Sequence, residues 1–443
     1  MSPREAVIDL DLLPAEPELP PLPKVSWRWV LALAVFALAG LVLTGAAAPA
    51  NPPVAPVRAV TVGNAATFQL IGDALYVVEP QQGDKRLVTY PLDGGPVRWS
   101  TRLDMLAGSA GIAAIGDTIL AMSFDPGPVF RTHTEALDRR TGAVRWQSSL
   151  AVGALDPVHG RILVIDQLGT DRVGEDRGGD VASVSPATGE RVWTYHRGPG
   201  CQPALPATAL DARSVLAVLC VDGTLSVVDL DTGRVRATVS GTVRLPPNGL
   251  GFGINVSALR DRILVSYPVL GRSVVTSYDS QHLTPQWTVS LDQGNYGVVD
   301  CGPRLCLSSA SGGVQALDRA TGRTRWQLSP ASSGYPLDDR YVLAILGANQ
   351  SDVLDSATGR QVLHLDGWTA VPFRPGRPLF YRPEPRARRM WVAMIATDPA
   401  GLRILGSVAN PNADVSDCVT SDGYLACRTV KDTIQVWRVR PPD

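Results

Sequence analysis

One phrase recurs through most of this chain: ALDRRTGAVRW at 136–146, SVSPATGERVW at 183–193 and ALDRATGRTRW at 316–326. Worn copies end at Trp99, Ala237, Trp287, Leu363 and Leu405, so the phrase returns every 37 to 50 residues. A period of that size marks an array of supersecondary units, each too small to bury its apolar face without a neighbour stacked on it. The repeat therefore constrains the architecture before any question of chemistry arises. It also gives most of the notable residues a structural reason to be present.

Within 304–328, a short apolar run (305–307) meets Ser and Gly, a second run follows (314–317), and a third ends in Trp326 and Leu328. Short runs punctuated by Gly, Asp and Ser read as antiparallel strands joined in hairpins. The Asp-x-x-Thr-Gly punctuation has a mechanism. The carboxylate accepts backbone N–H bonds two residues on, the Thr hydroxyl does so more weakly, and Gly takes positive φ without steric cost. The indole four residues later falls on the last strand of the unit, where it can fill the wedge between sheets and bury about 150–250 Å². Trp99, Trp146, Trp193, Trp287 and Trp326 are assigned to that packing in preference to ligand stacking. A strand signal precedes each phrase, as in DALYVV (73–78), DTILAM (117–122), GRILVI (160–165), DRILVS (261–266) and DRYVLAI (339–345). Strands so regularly spaced, with no amphipathic helices between them, predict an all-β propeller of four-stranded antiparallel blades.

The pattern A-x-D-x-x-T-G-x-x-x-W resembles the repeat of the quinoprotein-type, or PQQ-like, β-propellers across roughly residues 60–440. That family includes quinoprotein alcohol dehydrogenases and the non-enzymatic outer-membrane assembly factor BamB. The eight phrases and the family's usual number both imply eight blades. The literal count is nine, because DGYLACRTVKDTIQVWRV (422–439) adds a hairpin, to which VRAVTV (57–62) could add a strand from the other end of the chain. Such a strand would close the ring and remove both sheet edges. Eight is the expectation, with one irregular unit near 367–408 where Pro372, Pro375, Pro378, Pro383 and Pro385 interrupt pairing.

Ahead of the propeller, residues 30–48 run without a charge, and as a helix they would span about 28 Å, close to the hydrocarbon core of a bilayer. Lys24 and Arg28 precede the run and the next basic residue is Arg58, an asymmetry that places the N-terminus in the cytoplasm and the propeller outside. A cleaved signal peptide competes with this, since 44–48 offers small residues, but the preceding region is long for one. LTGA (43–46) resembles a lipobox whose lipid-bearing Cys is replaced by Ala46, so acylation there is excluded. The expected organisation is an acidic, Pro-rich cytoplasmic tail (1–28), a transmembrane helix (29–48), an Ala/Pro stalk (49–56) and an extracytoplasmic propeller (57–443), held at the plasma membrane.

A net charge of −1 argues against nucleic acid as a partner. All six cysteines follow the apolar run, as Cys201/Cys220, Cys301/Cys306 and Cys418/Cys427. Cys220, Cys306 and Cys427 occupy the same slot, after the apolar start of a second strand, with partners upstream where the first strand or its approach should run. Antiparallel neighbours bring such positions together, so three local bridges are expected in an oxidising compartment. Zinc is the weaker alternative, because no CxxC or clustered His accompanies them.

The resemblance implies one enzymatic alternative, a PQQ-dependent oxidoreductase. Its active members carry adjacent cysteines, a catalytic Asp and Ca²⁺ ligands; here no two cysteines are adjacent and no ligand set can be assigned. No catalytic residue, cofactor or metal is expected. The five histidines are dispersed, NGLGFGIN (248–255) lacks the helix a phosphate loop needs, and the acidic run at 166–180 departs from calcium-loop spacing. One segment stands apart. FRPGRPLFYRPEPRARRMW (373–391) sets Arg374, Arg377, Arg382, Arg386, Arg388 and Arg389 against a single Glu384, interleaved with aromatics. Arginine grips phosphate or carboxylate with two parallel bonds and stacks on rings. The expected function is a non-catalytic protein-binding or scaffolding module with protein partners at the cell envelope. Anionic lipid or wall polymer is a candidate for the arginine segment, and an irregular exposed loop is its bland explanation.

Overall fold

The computed structural model describes residues 52–440, apart from connecting segments of which the longest are 126–130, 167–177, 206–213, 242–253, 372–377 and 410–417. The apolar run at 30–48 and the tail before it lie outside the described residues. Among the described residues no helix is long and apolar enough to cross a membrane.

The described strands form nine four-stranded sheets. Eight follow chain order: blade 1 over 67–103, blade 2 over 109–148, blade 3 over 151–197, blade 4 over 201–239, blade 5 over 255–291, blade 6 over 296–328, blade 7 over 333–366 and blade 8 over 369–409. Blade 9 joins the two ends of the chain. Three of its strands come from 418–439, and Val54–Thr61 pairs antiparallel with Thr433–Val439 as the outermost strand. Blades are thus sequential antiparallel meanders, the arrangement that regular hairpins dictate.

Nine apolar clusters hold the ring, one at each junction of neighbouring blades. Tyr76, Trp99 and Ile119 belong to the 1/2 junction, and Trp193 and Leu216 to 3/4. Phe380 joins Leu343 at 7/8, Trp437 joins Val392 at 8/9, and Ile434 joins Leu70 at 9/1. The last of these makes the array a closed ring. Each sheet is apolar on both faces for this reason: one face packs on the blade before it and the other on the blade after.

The expected eight blades are corrected to nine. The proline-rich stretch does not abolish a unit; it shortens one. Blade 8 keeps four strands, but its innermost described strand is only Thr369–Ala370, opposite Tyr381 and Phe380. Pro383 lies beyond that pairing on the next strand, where its missing N–H costs no described ladder bond, and Pro385 begins a 3₁₀ turn over Pro385–Ala387. Val54, Ala55 and Pro56, expected to precede the propeller, are part of its strand Val54–Thr61.

In blades 1 to 8 the turn between third and fourth strands shares one end of the sheet with the first hairpin. The second hairpin and the crossing to the next blade lie at the other end. These are called below the motif face and the opposite face. The chain enters blade 9 on the motif face, where the Pro53 carbonyl accepts the Arg440 N–H at 2.8 Å.

Candidate functional site

The repeated phrase builds a joint between blades. In blade 2 one oxygen of Asp138 accepts the N–H groups of Arg140 (3.0 Å) and Thr141 (2.8 Å) and the Thr141 hydroxyl (3.0 Å). The Gly142 N–H returns to the Asp138 carbonyl at 2.8 Å, which requires φ of +74° at Gly142. Asp229 and Asp318 repeat the same set, and Asp355 keeps the threonine contacts. The tryptophan of the preceding blade then lies on this turn. Trp99 donates its indole N–H to the Arg139 carbonyl at 3.0 Å, and a Cβ on Gly142 would stand 2.5 Å from its ring. Trp146, Trp193, Trp287 and Trp326 make the same bond to Pro186, Leu230, Arg319 and Ser356, each one residue past the turn's first position. Glycine is thus needed twice, for its backbone and for the ring above it. All five tryptophans thus join their blade to the next.

Three features of these joints were not anticipated. First, a bulge precedes the indole. Ala136 faces Trp146 while Leu137 faces Val144, so Arg145 is the extra residue, and the same slip recurs at Arg236 and Arg325. The bulged guanidinium reaches the free oxygen of the turn aspartate, 2.6 Å for Arg145–Asp138 and 2.8 Å for Arg325–Asp318. These arginines, with the turn's Thr groups, hold both carboxyls well below the usual carboxylate range. Second, where blade 4 has Ala237 in place of the indole, the facing turn has Leu283 in place of glycine, at φ +56° and buried beside Ala237 in one cluster. Third, the closing junction uses arginine. In blade 9 the bulge falls at Val57, which puts Arg58 in the indole's position. Its guanidinium donates to the carbonyls of Pro91 (2.6 Å) and Gly95 (2.7 Å) and covers the Tyr90 ring at 5.2 Å. The eighth phrase also shifts by one: its bulged residue is Leu405, so Gly406 takes the indole's place. Blade 9 draws its third and fourth strands from opposite ends of the chain, so it has no turn there for an indole to cover.

The cysteines form Cys201–Cys220, Cys301–Cys306 and Cys418–Cys427. Each bridge joins a first strand to a second. Cys201 faces Cys220 and Cys418 faces Cys427 directly, whereas Cys306 faces Val299 and reaches Cys301 diagonally, so the slot expected to be common differs there.

Of the arginine segment, Arg374 and Arg377 lie outside the described residues. Arg382 is committed to the Trp368 ring, 5.1 Å from its centroid. The other three converge on the second hairpin of blade 8, on the opposite face. Arg386 is in the 3₁₀ turn, Arg388 has φ +50°, and Arg389 opens the third strand opposite Glu384 and Ala409. All three are exposed, and none makes an ion pair or side-chain hydrogen bond with a described residue. The neighbouring Glu384 is held instead by the Trp391 indole at 3.0 Å.

Residues 84–249 match the family model described as outer membrane protein assembly factor BamB. Over that stretch the chain is similar to the BamB-like, PQQ-like β-propellers. The match runs from blade 1 to the end of blade 4. Three solved structures are similar at low identity. BamB from Moraxella catarrhalis is 16% identical over 88% of this chain and 99% of that one, with a TM-score of 0.46. The computationally designed Ika8 protein is 14% identical over 76% and 98%, at 0.47. A europium-containing methanol dehydrogenase is 11% identical over 78% and 86%, at 0.41. Comparison with curated proteins found no match.

The described residues do not fit a quinone and its metal. All six cysteines are engaged in bridges between strands, leaving no adjacent pair. The nine described innermost strands carry only two charged residues, Asp156 and Asp300. Asp156 is bonded to His159 at 2.7 Å and Asp300 to Arg319 at 2.7 Å. Among the described residues no group of three His, Cys, Asp or Glu side chains could hold a metal ion. The histidines sit singly beside carboxylates, as in His196–Asp180 and His364–Asp352, both at 2.7 Å.

Proposed function

We propose that this BamB-like propeller is a non-catalytic, membrane-anchored module that binds or scaffolds proteins outside the cytoplasm. One observation carries the proposal: the chemically distinctive residues of the repeat are occupied within the joints, and three arginines without side-chain partners stand together at a loop tip. The motif aspartates cap turns and bind arginines, and the indole N–H groups bind carbonyls of the next blade. What remains for function is shape and exposed side chains, which is how a propeller presents a docking surface. The compartment is argued from the three bridges, which suit an oxidising environment, and from the charge-free run at 30–48 with basic residues before it.

Proximity labelling at the membrane, with the labelling enzyme fused after Asp443, should enrich envelope proteins and not cytoplasmic ones. Cytoplasmic labelling would overturn the topology. The catalytic alternative has its own test. PQQ and Ca²⁺ are added to the purified protein, with dye reduction by alcohols and sugars as the readout. Reproducible turnover would replace the scaffold with an oxidoreductase.

A further inference from the structure

Blade 8 differs from the others in how it ends on the opposite face. Its third strand (Arg389–Thr397) and fourth strand (Ala400–Ala409) have 9 and 10 residues, against an innermost described strand of 2. The hairpin between second and third strands therefore continues past the inner strand's pairing, from Arg382 to Arg389. Its tip carries Arg386, Arg388 and Arg389 within four residues. Arginines elsewhere on the ring show what a structural arginine looks like here: Arg145 and Arg325 bind turn aspartates, Arg319 binds Asp261 and Asp300, and Arg58 binds two carbonyls. At the tip there is no such role. Three like charges held close together repel one another, so the tip gains when an anion arrives.

We propose that Arg386, Arg388 and Arg389 dock a carboxylate-rich segment of a protein partner. The inference rests on the scaffolding function above and names its surface. Charge complementarity fixes the sign of the partner, and the guanidinium fork suits the planar carboxylate. Two facts favour protein over a bilayer. Arginine beside tryptophan is the composition of protein–protein hot spots, and Trp391 lies two residues from the tip, fixed by Glu384. Surface binding to a membrane also draws on apolar insertion, and the tip exposes no large hydrophobic residue, Met390 being fully buried. The exposed apolar knuckle of the opposite face, Val269 and Leu270, belongs to blade 5.

The test uses the full chain in uncharged detergent micelles and a fluorescent peptide of alternating Glu and Ser, read by anisotropy at low salt. The tip variant combines Arg386→Ser, Arg388→Asn and Arg389→Ser, asparagine being chosen to tolerate the positive φ. A charge-matched control, Arg140→Ser with Arg234→Ser and Arg323→Ser, removes three exposed arginines of the motif face that have no side-chain partner. Affinity should fall about tenfold in the tip variant and by less than about twofold in the control, as expected for three exposed ion pairs. Equal losses in both variants, or no peptide binding by the parent, overturn the proposal. So does tip-dependent binding to phosphatidylglycerol vesicles without binding to the peptide, which would make the surface a lipid site. Should the tip variant not fold, Arg386→Lys with Arg389→Lys keeps the charge and loses the fork; a severalfold loss supports the proposal and parent-like affinity overturns it. An envelope protein cross-linked equally to parent and tip variant would leave scaffolding intact and remove the tip from it.

Discussion

The 3/4 and 4/5 junctions solve one packing problem in two ways. At 3/4 a large indole, Trp193, lies on a glycine, Gly233, whose φ is +68°. At 4/5 a small residue, Ala237, faces a large one, Leu283, which keeps the same left-handed backbone at φ +56°. The volume moves from one blade to the other while the turn stays. Asp279 still accepts the N–H groups of Gln281 (3.0 Å) and His282 (2.8 Å), and the Leu283 N–H still returns to Asp279. The conserved quantity along the ring is therefore the filled wedge and the five-residue turn, not the tryptophan. Packing density explains this: a core tolerates exchange of shape between partners but not a net loss or gain of volume.

The comparison breaks most severely at the indole junction. Trp193→Ala empties the wedge and removes the donor to the Leu230 carbonyl, so a loss of about 3–5 kcal/mol is expected from denaturant titration. Gly233→Leu should do comparable damage from the other side, because a Cβ there would stand 2.6 Å from the ring. A loss below about 1 kcal/mol in both would show that the wedge does not hold the ring together.

The closing junction should come next. Arg58 replaces an indole and satisfies two carbonyls of blade 1, so Arg58→Ala leaves both without their donor. Bonds to a charged group contribute about 1.5–3 kcal/mol, and a destabilisation in that range is expected. This junction joins the chain's two ends, so hydrogen exchange in Val54–Thr61 should rise with the substitution and exchange in blade 5 should not. Uniform exchange across both would mean that the seam is no weaker than its neighbours.

The alanine–leucine junction then sharpens the comparison. Ala237→Trp alone overfills the wedge, at about 1–3 kcal/mol. Combined with Leu283→Gly it recreates the arrangement at 3/4, so the pair should be more stable than the sum of the single changes by about 0.5–3 kcal/mol. Strict additivity would refute the exchange of volume between blades.

The same contrast shows what was legible in the sequence. The turn residues and indoles announce themselves because cause and effect are local: Asp138, Thr141 and Gly142 meet within five residues. The strand that closes the ring was legible too, as a spare apolar run at 57–62 matched to a hairpin short of one strand. The exchange at Ala237 and Leu283 was not, since each looks like a decayed motif alone and their relation spans two blades. Arg58 escaped notice because nothing around it resembles the phrase; its place is set by a bulge at Val57 that only strand register reveals. The count of nine was obscured by prolines that read as interruption, although Pro383 stands where no described inner strand pairs with it. Of the six arginines offered as an anion patch, the structure sets Arg382 apart against Trp368 and brings Arg386, Arg388 and Arg389 together.

The smallest expected effect is a dependence on acid that differs between joints. Arg145 and the Thr141 groups hold Asp138 well below the usual carboxylate range, and Arg325 with Thr321 does the same for Asp318. On unfolding these partners are lost, so as pH falls the unfolded chain takes up protons first. The contribution is fully present above the ordinary carboxylate range and lost as pH falls through the lowered folded values. The sign reverses at Glu135, buried in blade 2, where burial raises the carboxyl although one oxygen accepts the Asp104 N–H at 2.5 Å. There the folded state keeps its proton longer, so stability is present below the ordinary value and declines as pH rises through the raised one. Melting temperature measured across the acid range should therefore show two separable limbs. Asp138→Asn with Asp318→Asn should flatten the fall on the acidic side and leave the other limb unchanged, while Glu135→Gln should flatten only the decline above the ordinary carboxylate range. A parent profile unaltered by either change would mean that neither set of carboxyls differs in proton affinity between the folded and unfolded chain. In that case the short contacts to Arg145 and Arg325 would contribute position to the turns without contributing stability.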